Sequence, residues 1–296
     1  MALLYGPSDI AAANDLQRIN YVYVSVAVVW ATDYVLQLGN EVVFLWSTRW
    51  GKTKILYCLA RYIPFILIGM NLFQSLKPNL DPKMCHPLYE VGAGLSGLSL
   101  VCSECIFFLR TYAIWGRNRK VLVVLTSSLV ALVVAVIVVL FTYQSSIKFV
   151  TPPVPVITGC YRTGQDNVLF IAYLLLLVFE LEVLAFTLFK AVKQYRQAHN
   201  QLLQILIQHN IFYFGCGFVF SVANILCLTL LQGSNSDIIS SSELQTAMHA
   251  ILVTRMHLHL WEQAGISSPP QTADFDLIPM TNMEFAEVPA VSGTGI

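Results

Sequence analysis

The sequence predicts an all-α integral membrane protein: a seven-transmembrane helix bundle with its N-terminus outside and its C-terminus in the cytoplasm. Three observations predict it. Of the 296 residues, 56% are hydrophobic and only 11% are charged, against about 25% charged in ordinary soluble domains. The apolar residues gather into runs of about 20, the length that crosses a bilayer core as a helix. Lysine and arginine gather in alternate connections between those runs, which sets orientation.

The first six runs are residues 21–45, 55–73, 88–114, 121–143, 168–189 and 202–231. The seventh, residues 244–260, reads LQTAMHAILVTRMHLHL and carries three histidines and an arginine. Hydropathy alone passes over it, so six spans stand as the alternative count. Ser240 and Glu243 ahead of it have capping-box spacing, which predicts the helix start. Residues 1–20 lack a basic stretch, and the run that follows is too long for a signal-peptide core, so the first span is expected to stay in the mature protein. The organisation is then a short extracellular N-terminus (1–20), a helical domain (21–260, with its first hairpin at 21–73) and a tail (261–296).

Orientation follows from the loops. Those after spans one, three and five hold Arg49, Lys52, Lys54, Arg117, Arg119, Lys120, Lys190, Lys193 and Arg196. Those after spans two, four and six hold Lys77, Lys83, Lys148 and Arg162. Nine against four puts the odd loops in the cytoplasm. Trp46, Trp50 and Trp115 flank the basic loops at the depth indoles prefer. WGKTK and WGRNRK repeat one pattern, through shared interfacial physics or an old duplication of a hairpin. The tail from Glu262 onward holds five acids and no lysine or arginine, and its proline and small polar residues predict disorder. Ser267, Ser268, Thr272 and Thr281 are candidate phosphorylation sites there.

Two of the seven cysteines fall outside the spans. Cys85 precedes span three and Cys160 lies in the loop between spans four and five. Both loops are predicted to face outside, where disulfides persist, so a Cys85–Cys160 bond is expected. It would pin a loop rich in prolines over the outer mouth. Cys58, Cys102, Cys105, Cys216 and Cys227 lie within spans as small packing residues.

Ionisable side chains at membrane depth cost at least about 2.5–3.5 kcal/mol and face a partner or a cavity. Here they are Asp33, Glu41, Arg61, Glu104, Glu180, Glu182 and Arg255, with His209 and His249 as lesser members. Glu41 stands eight residues before Arg49, and Arg61 seven after Lys54, so the two share a depth on adjacent helices. A Glu41–Arg61 bridge is expected. Glu180 and Glu182 point to opposite sides of their helix, and one is expected to meet Arg255 or a wet centre. Asp33, Glu104, Glu180 and Arg255 form the candidate polar core, serving a cationic ligand, a proton relay or helix packing.

Several chemistries find no support. There is no nucleophile–base pattern, no histidine spacing for a metal, and no lysine after Lys193 to hold retinal. GAGLSG (92–97) lies inside a span with no strand before it, so its glycines suit close helix packing. No basic face suits nucleic acid. The expectation is a non-enzyme without cofactor or metal, whose certain partner is the lipid bilayer. Arg110 and Tyr112 end span three where rhodopsin-type receptors carry an acid, an arginine and a tyrosine in a row. Leu109 replaces that acid and Thr111 intervenes, so the chain departs from that class.

Residues 33–64, DYVLQLGNEVVFLWSTRWGKTKILYCLARYIP, resemble instead the signature of a fungal seven-helix family catalogued as domain of unknown function 6533. The matching positions are Asp33, Tyr34, Glu41, Val42, Trp46, Trp50, Lys54, Arg61, Tyr62 and Pro64. LRTYAIWGRNRK and TRMHLHL resemble later parts of that family. The resemblance implies the fold and adds weight to the Glu41–Arg61 pair, but implies no activity. Three functional readings remain open. One is a receptor-like sensor, in a plasma membrane, with a signalling partner at cytoplasmic loops one to three and an unknown ligand. The others are a proton-coupled carrier and a non-catalytic scaffold.

Overall fold

The computed structural model describes residues 6–48, 50–77, 81–144, 148–150, 160–163, 168–197, 201–230 and 235–267. Among them are seven helices: α1 (Pro7–Ser47), α2 (Lys52–Leu76), α3 (Pro82–Ile114), α4 (Arg119–Gln144), α5 (Val168–Gln197), α6 (Gln201–Leu230) and α7 (Asn235–Ser267). Two three-residue strands, β1 (Lys148–Val150) and β2 (Tyr161–Thr163), pair antiparallel between α4 and α5, with Phe149 opposite Arg162. The bundle itself is all-helical. Six helices, α1 to α6, are long and apolar enough to cross a membrane, so the chain is a multi-pass membrane protein.

Several helices overrun their apolar cores. α1 begins at Pro7, not near residue 21, because Pro7 takes the first helical position and Asp9 reaches back to the Gly6 amide at 3.0 Å. The segment expected as a short N-terminal arm is therefore largely helical. α3 starts at Pro82 under an Asp81 cap, whose carboxylate accepts from the Lys83 amide at 3.0 Å. That start brings Pro87 inside α3, as Pro64 is inside α2. α7 begins at Asn235, so Ser240 and Glu243 sit within it and form no capping box at its start. Serine and glutamate at that spacing also occur inside helices, and Asn235 precedes them as an equally good start-type residue. Trp261–Ser267, expected in the tail, extend α7. The rest of the tail and the proline-rich residues 151–159 lie outside the described residues.

The buried residues of α1 are Leu16, Ile19, Val26, Trp30, Asp33, Glu41 and Phe44, a stripe at helical spacing. Val35 and Leu36 on the other side are 70% and 68% exposed. Apolar side chains turned outward in this way suit lipid, where the backbone is satisfied within the helix. α7 differs. It packs on α1, α2, α3 and α6, and from Gln245 to Leu260 its residues are buried almost without interruption. Its modest hydropathy follows from that place: its polar groups face protein. α3 is the second inner helix, packed on α2, α4, α5 and α7.

α3 ends in a Schellman turn. The Arg117 amide donates to the Tyr112 carbonyl at 3.2 Å and the Gly116 amide to the Ala113 carbonyl at 3.0 Å. Gly116 has φ +61°, and no atom lies near where its Cβ would be. Backbone conformation alone therefore sets the cost of substitution. Gly116→Val is expected to destabilise the folded protein by about 1–2 kcal/mol, read as a lowered thermal midpoint in detergent. A midpoint at the wild-type value would disprove that account of the turn.

Candidate functional site

α7 carries four polar side chains that reach three different parts of the bundle. Gln245 and His249 lie one turn apart and face α6, α5 and α3. Arg255 lies six residues beyond His249, about 240° round the helix, and faces α1. His257 lies eight beyond His249, about 80° round, and faces α3 again.

The first cluster joins α1, α2 and α7. Arg61 is fully buried and donates from Nη1 to Asp33 at 2.5 Å and from Nε to Glu41 at 3.1 Å. The Tyr62 hydroxyl donates to the other Glu41 oxygen at 2.8 Å. Arg255 donates from Nε to the second Asp33 oxygen at 2.5 Å. Trp30 and Tyr34 place their rings 5.4 Å from the Arg61 guanidinium. Two carboxylates thus meet two guanidiniums, and charge within the cluster is balanced. The expected Glu41–Arg61 pair is present, enlarged by Asp33 and Arg255. Lys54 lies at the end of the same hairpin. It is buried and donates to the Leu45 and Thr48 carbonyls at 2.7 and 2.8 Å. It thereby closes the C-terminus of α1, where a cation meets the helix dipole.

The second cluster joins α3, α5, α6 and α7. His249 Nε2 lies 2.5 Å from Glu180 Oε1 and 3.6 Å from Glu104 Oε1. Ser221 donates to the same Glu180 oxygen at 2.7 Å, Gln245 donates to Ser221 at 2.9 Å, and Asn224 donates to Gln245. Glu104, Glu180 and His249 are all buried. The expected core of Asp33, Glu104, Glu180 and Arg255 is therefore two sites. Arg255 meets Asp33 and not an acid of α5, because His249 occupies the α7 face that looks at Glu180. Glu182 is half-buried on another side of α5. Sequence reasoning ranked His249 low and passed over Ser221, Asn224 and Gln245. The spacing of Gln245 and His249 at i, i+4 was the available signal.

At the far end of α3, Arg110 donates from Nη2 to His257 Nδ1 at 2.7 Å. The His257 ring packs edge-on to Phe44 and tilted against Tyr57. Tyr112 stacks on Phe108 and donates to the Arg117 carbonyl at 3.4 Å. Trp115 donates to the Phe186 carbonyl of α5 at 3.2 Å. At the opposite end, Cys85 and Cys160 are joined in a disulfide that spans 75 residues of chain and ties α3 to the segment entering β2. His209, named among the intramembrane groups, has a side chain outside the described residues.

Breaking a buried ion pair from one side leaves charge uncompensated, at about 3–5 kcal/mol. Arg61→Met is expected to lose that much, since it strands Glu41 and leaves Asp33 with Arg255 alone. The double change Arg61→Met, Glu41→Gln should recover most of it, because Asp33 keeps Arg255 and the cluster is neutral again. Unfolding of the purified variants in detergent checks both, and a double variant no more stable than the single would refute the charge account.

No curated protein matches the chain. A family model described as a family of unknown function (DUF6533) matches residues 21–66, which span most of α1 and the first part of α2. The segment contains Trp30, Asp33, Tyr34, Glu41, Lys54, Arg61 and Tyr62, and so all of the first cluster except Arg255. Through this hairpin the chain is similar to the family of unknown function DUF6533.

Proposed function

We propose that the chain is a receptor-like, non-catalytic sensor with seven spans, α7 being the last, in a plasma membrane. The N-terminus is outside and the C-terminus cytoplasmic. The observation that carries this reading is the double anchoring of α3. One end is tied by Cys85–Cys160 to the connection between α4 and α5, and the other is held by Arg110 to His257 of α7. A ligand that shifts the tied end moves a rigid inner helix, and the movement emerges at the basic turn around Gly116. A cytoplasmic partner at the three basic connections would read it. A disulfide persists in an oxidising compartment and the basic loops lie on the cytoplasmic side, so both signs agree on orientation. α7 spans at low hydropathy because its charges are met inside the bundle.

Hydrogen exchange of the full chain in lipid nanodiscs tests the coupling. Reducing Cys85–Cys160 is expected to speed exchange across residues 111–118 by about tenfold or more, as local opening becomes easier. An unchanged rate there, with faster exchange confined to the reduced end, would sink the sensor reading. Membrane-impermeant thiol labelling of intact cells tests orientation. Cys85 and Cys160 should label only after reduction, and labelling only from the cytosol would invert the topology.

A carrier is the second reading, favoured by the buried acids Glu104 and Glu180 beside His249. In sealed vesicles holding a pH-sensitive dye, the sensor reading expects no protein-dependent proton uptake. Uptake abolished by Glu104→Gln would establish the carrier instead.

A further inference from the structure

We propose that Glu104, Glu180 and His249 bind one divalent transition-metal ion of the zinc class, an inference independent of whether the protein senses or transports. Two observations lead there. The first is charge. Asp33 and Glu41 are answered by two guanidiniums, whereas Glu104 and Glu180 face a single imidazole. No arginine or lysine reaches this cluster among the described residues. Three potential ligand atoms, one from each side chain, lie within 4.8 Å of one another.

The second is the state of the polar atoms. Both carboxylate oxygens of Glu104 and Oε2 of Glu180 are buried without a hydrogen-bond partner. Glu104 is only 1% exposed, so an unanswered carboxylate there is costly. His249 Nδ1 lies 3.0 Å from the Gln245 carbonyl oxygen. A carbonyl only accepts, so Nδ1 carries the hydrogen. In the metal-free chain a hydrogen lies between Nε2 and Glu180 Oε1, 2.5 Å apart, and a metal would take its place on the Nε2 lone pair. A metal-bound histidine is set this way, its second nitrogen donating to a backbone carbonyl. Ser221, Gln245 and Asn224 form an outer chain that holds Glu180 in place. Gly217 leaves room beside the ring, since a Cβ there would stand 3.7 Å from Nε2.

One imidazole and two carboxylates suit zinc, which accepts nitrogen and oxygen at roughly 2.0–2.2 Å and leaves a fourth position for water or ligand. Calcium and magnesium prefer all-oxygen shells with more ligands. Two ligands on a tetrahedral zinc lie about 3.4 Å apart, so binding requires the Glu180 carboxylate to withdraw by about 1 Å from Nε2. The rival occupant is a proton held between Glu180 and His249, and the experiment separates the two.

The full chain, free of any affinity tag, would be stripped with chelator in detergent and titrated with zinc(II). Metal content after gel filtration should reach one zinc per chain. Glu104→Gln and His249→Gln should each weaken binding at least about tenfold, since even outer-shell changes at metal sites cost that much. Glu182→Gln should bind as wild type. X-ray absorption of the wild-type zinc complex should show nitrogen and oxygen ligands, including one imidazole, which keeps the test valid if a variant misfolds. No stoichiometric zinc, binding unchanged in folded variants, or a sulfur-ligated ion would each overturn the proposal, the first in favour of the proton.

Discussion

Charge buried at membrane depth has to be answered from within the protein, and α7 is where this chain answers it. A lone ionisable group near the bilayer centre costs several kcal/mol. The described residues place acids of α1, α3 and α5 against bases on α2 and α7. α7 can carry Arg255, His249 and His257 only because other helices enclose it. Those helices can carry Asp33 and Glu180 only because α7 supplies partners. Each side of the bargain depends on the other, so the helix with the weakest hydropathic signal organises the rest.

The family segment takes on a definite physical meaning in this light. Residues 21–66 hold a hairpin that is almost self-sufficient in charge. Arg61 spans two acids, Tyr62 satisfies the second oxygen of Glu41, and Lys54 closes the end of α1. One carboxylate oxygen of Asp33 is left over, and Arg255 takes it from 222 residues away. The hairpin is thus complete only when α7 docks. A signature confined to one hairpin still constrains the last helix.

Much of the fold was legible because lipid imposes a simple code. Apolar runs of fixed length revealed the six apolar helices, and the structure differs mainly at helix ends, where caps such as Asp9 and Asp81 extend helices beyond the apolar core. Depth counted from the basic loops brought Glu41 and Arg61 to one level, and they lie 3.1 Å apart. Depth along a helix does not report rotation about it. Glu104, Glu180 and Arg255 share a broad level yet belong to different clusters, because Arg255 and His249 point to different sides of α7. Ser221, Asn224 and Gln245 were illegible for another reason. A neutral polar residue in a span gives no electrostatic alarm, and its role appears only when a charged neighbour needs orienting.

The two clusters share one helix but differ in kind. In the first, acids and guanidiniums balance although Arg61 Nη2 is buried without a hydrogen-bond partner, aromatic rings flank the guanidinium, and removing one member strands others; such a network specifies how α1, α2 and α7 fit together. In the second, acids outnumber bases, and carboxylate oxygens are buried without partners. Folding alone gives no reason to keep such a cluster, since an apolar replacement of the same volume is often neutral or stabilising. A site that stays incomplete in the folded chain is one that gains something from an added ion, proton or ligand. Arg110 and His257 lie about two turns along α3 and α7 from it, so an ion bound there would sit on the same two helices that this pair joins ahead of the α3 turn at Gly116.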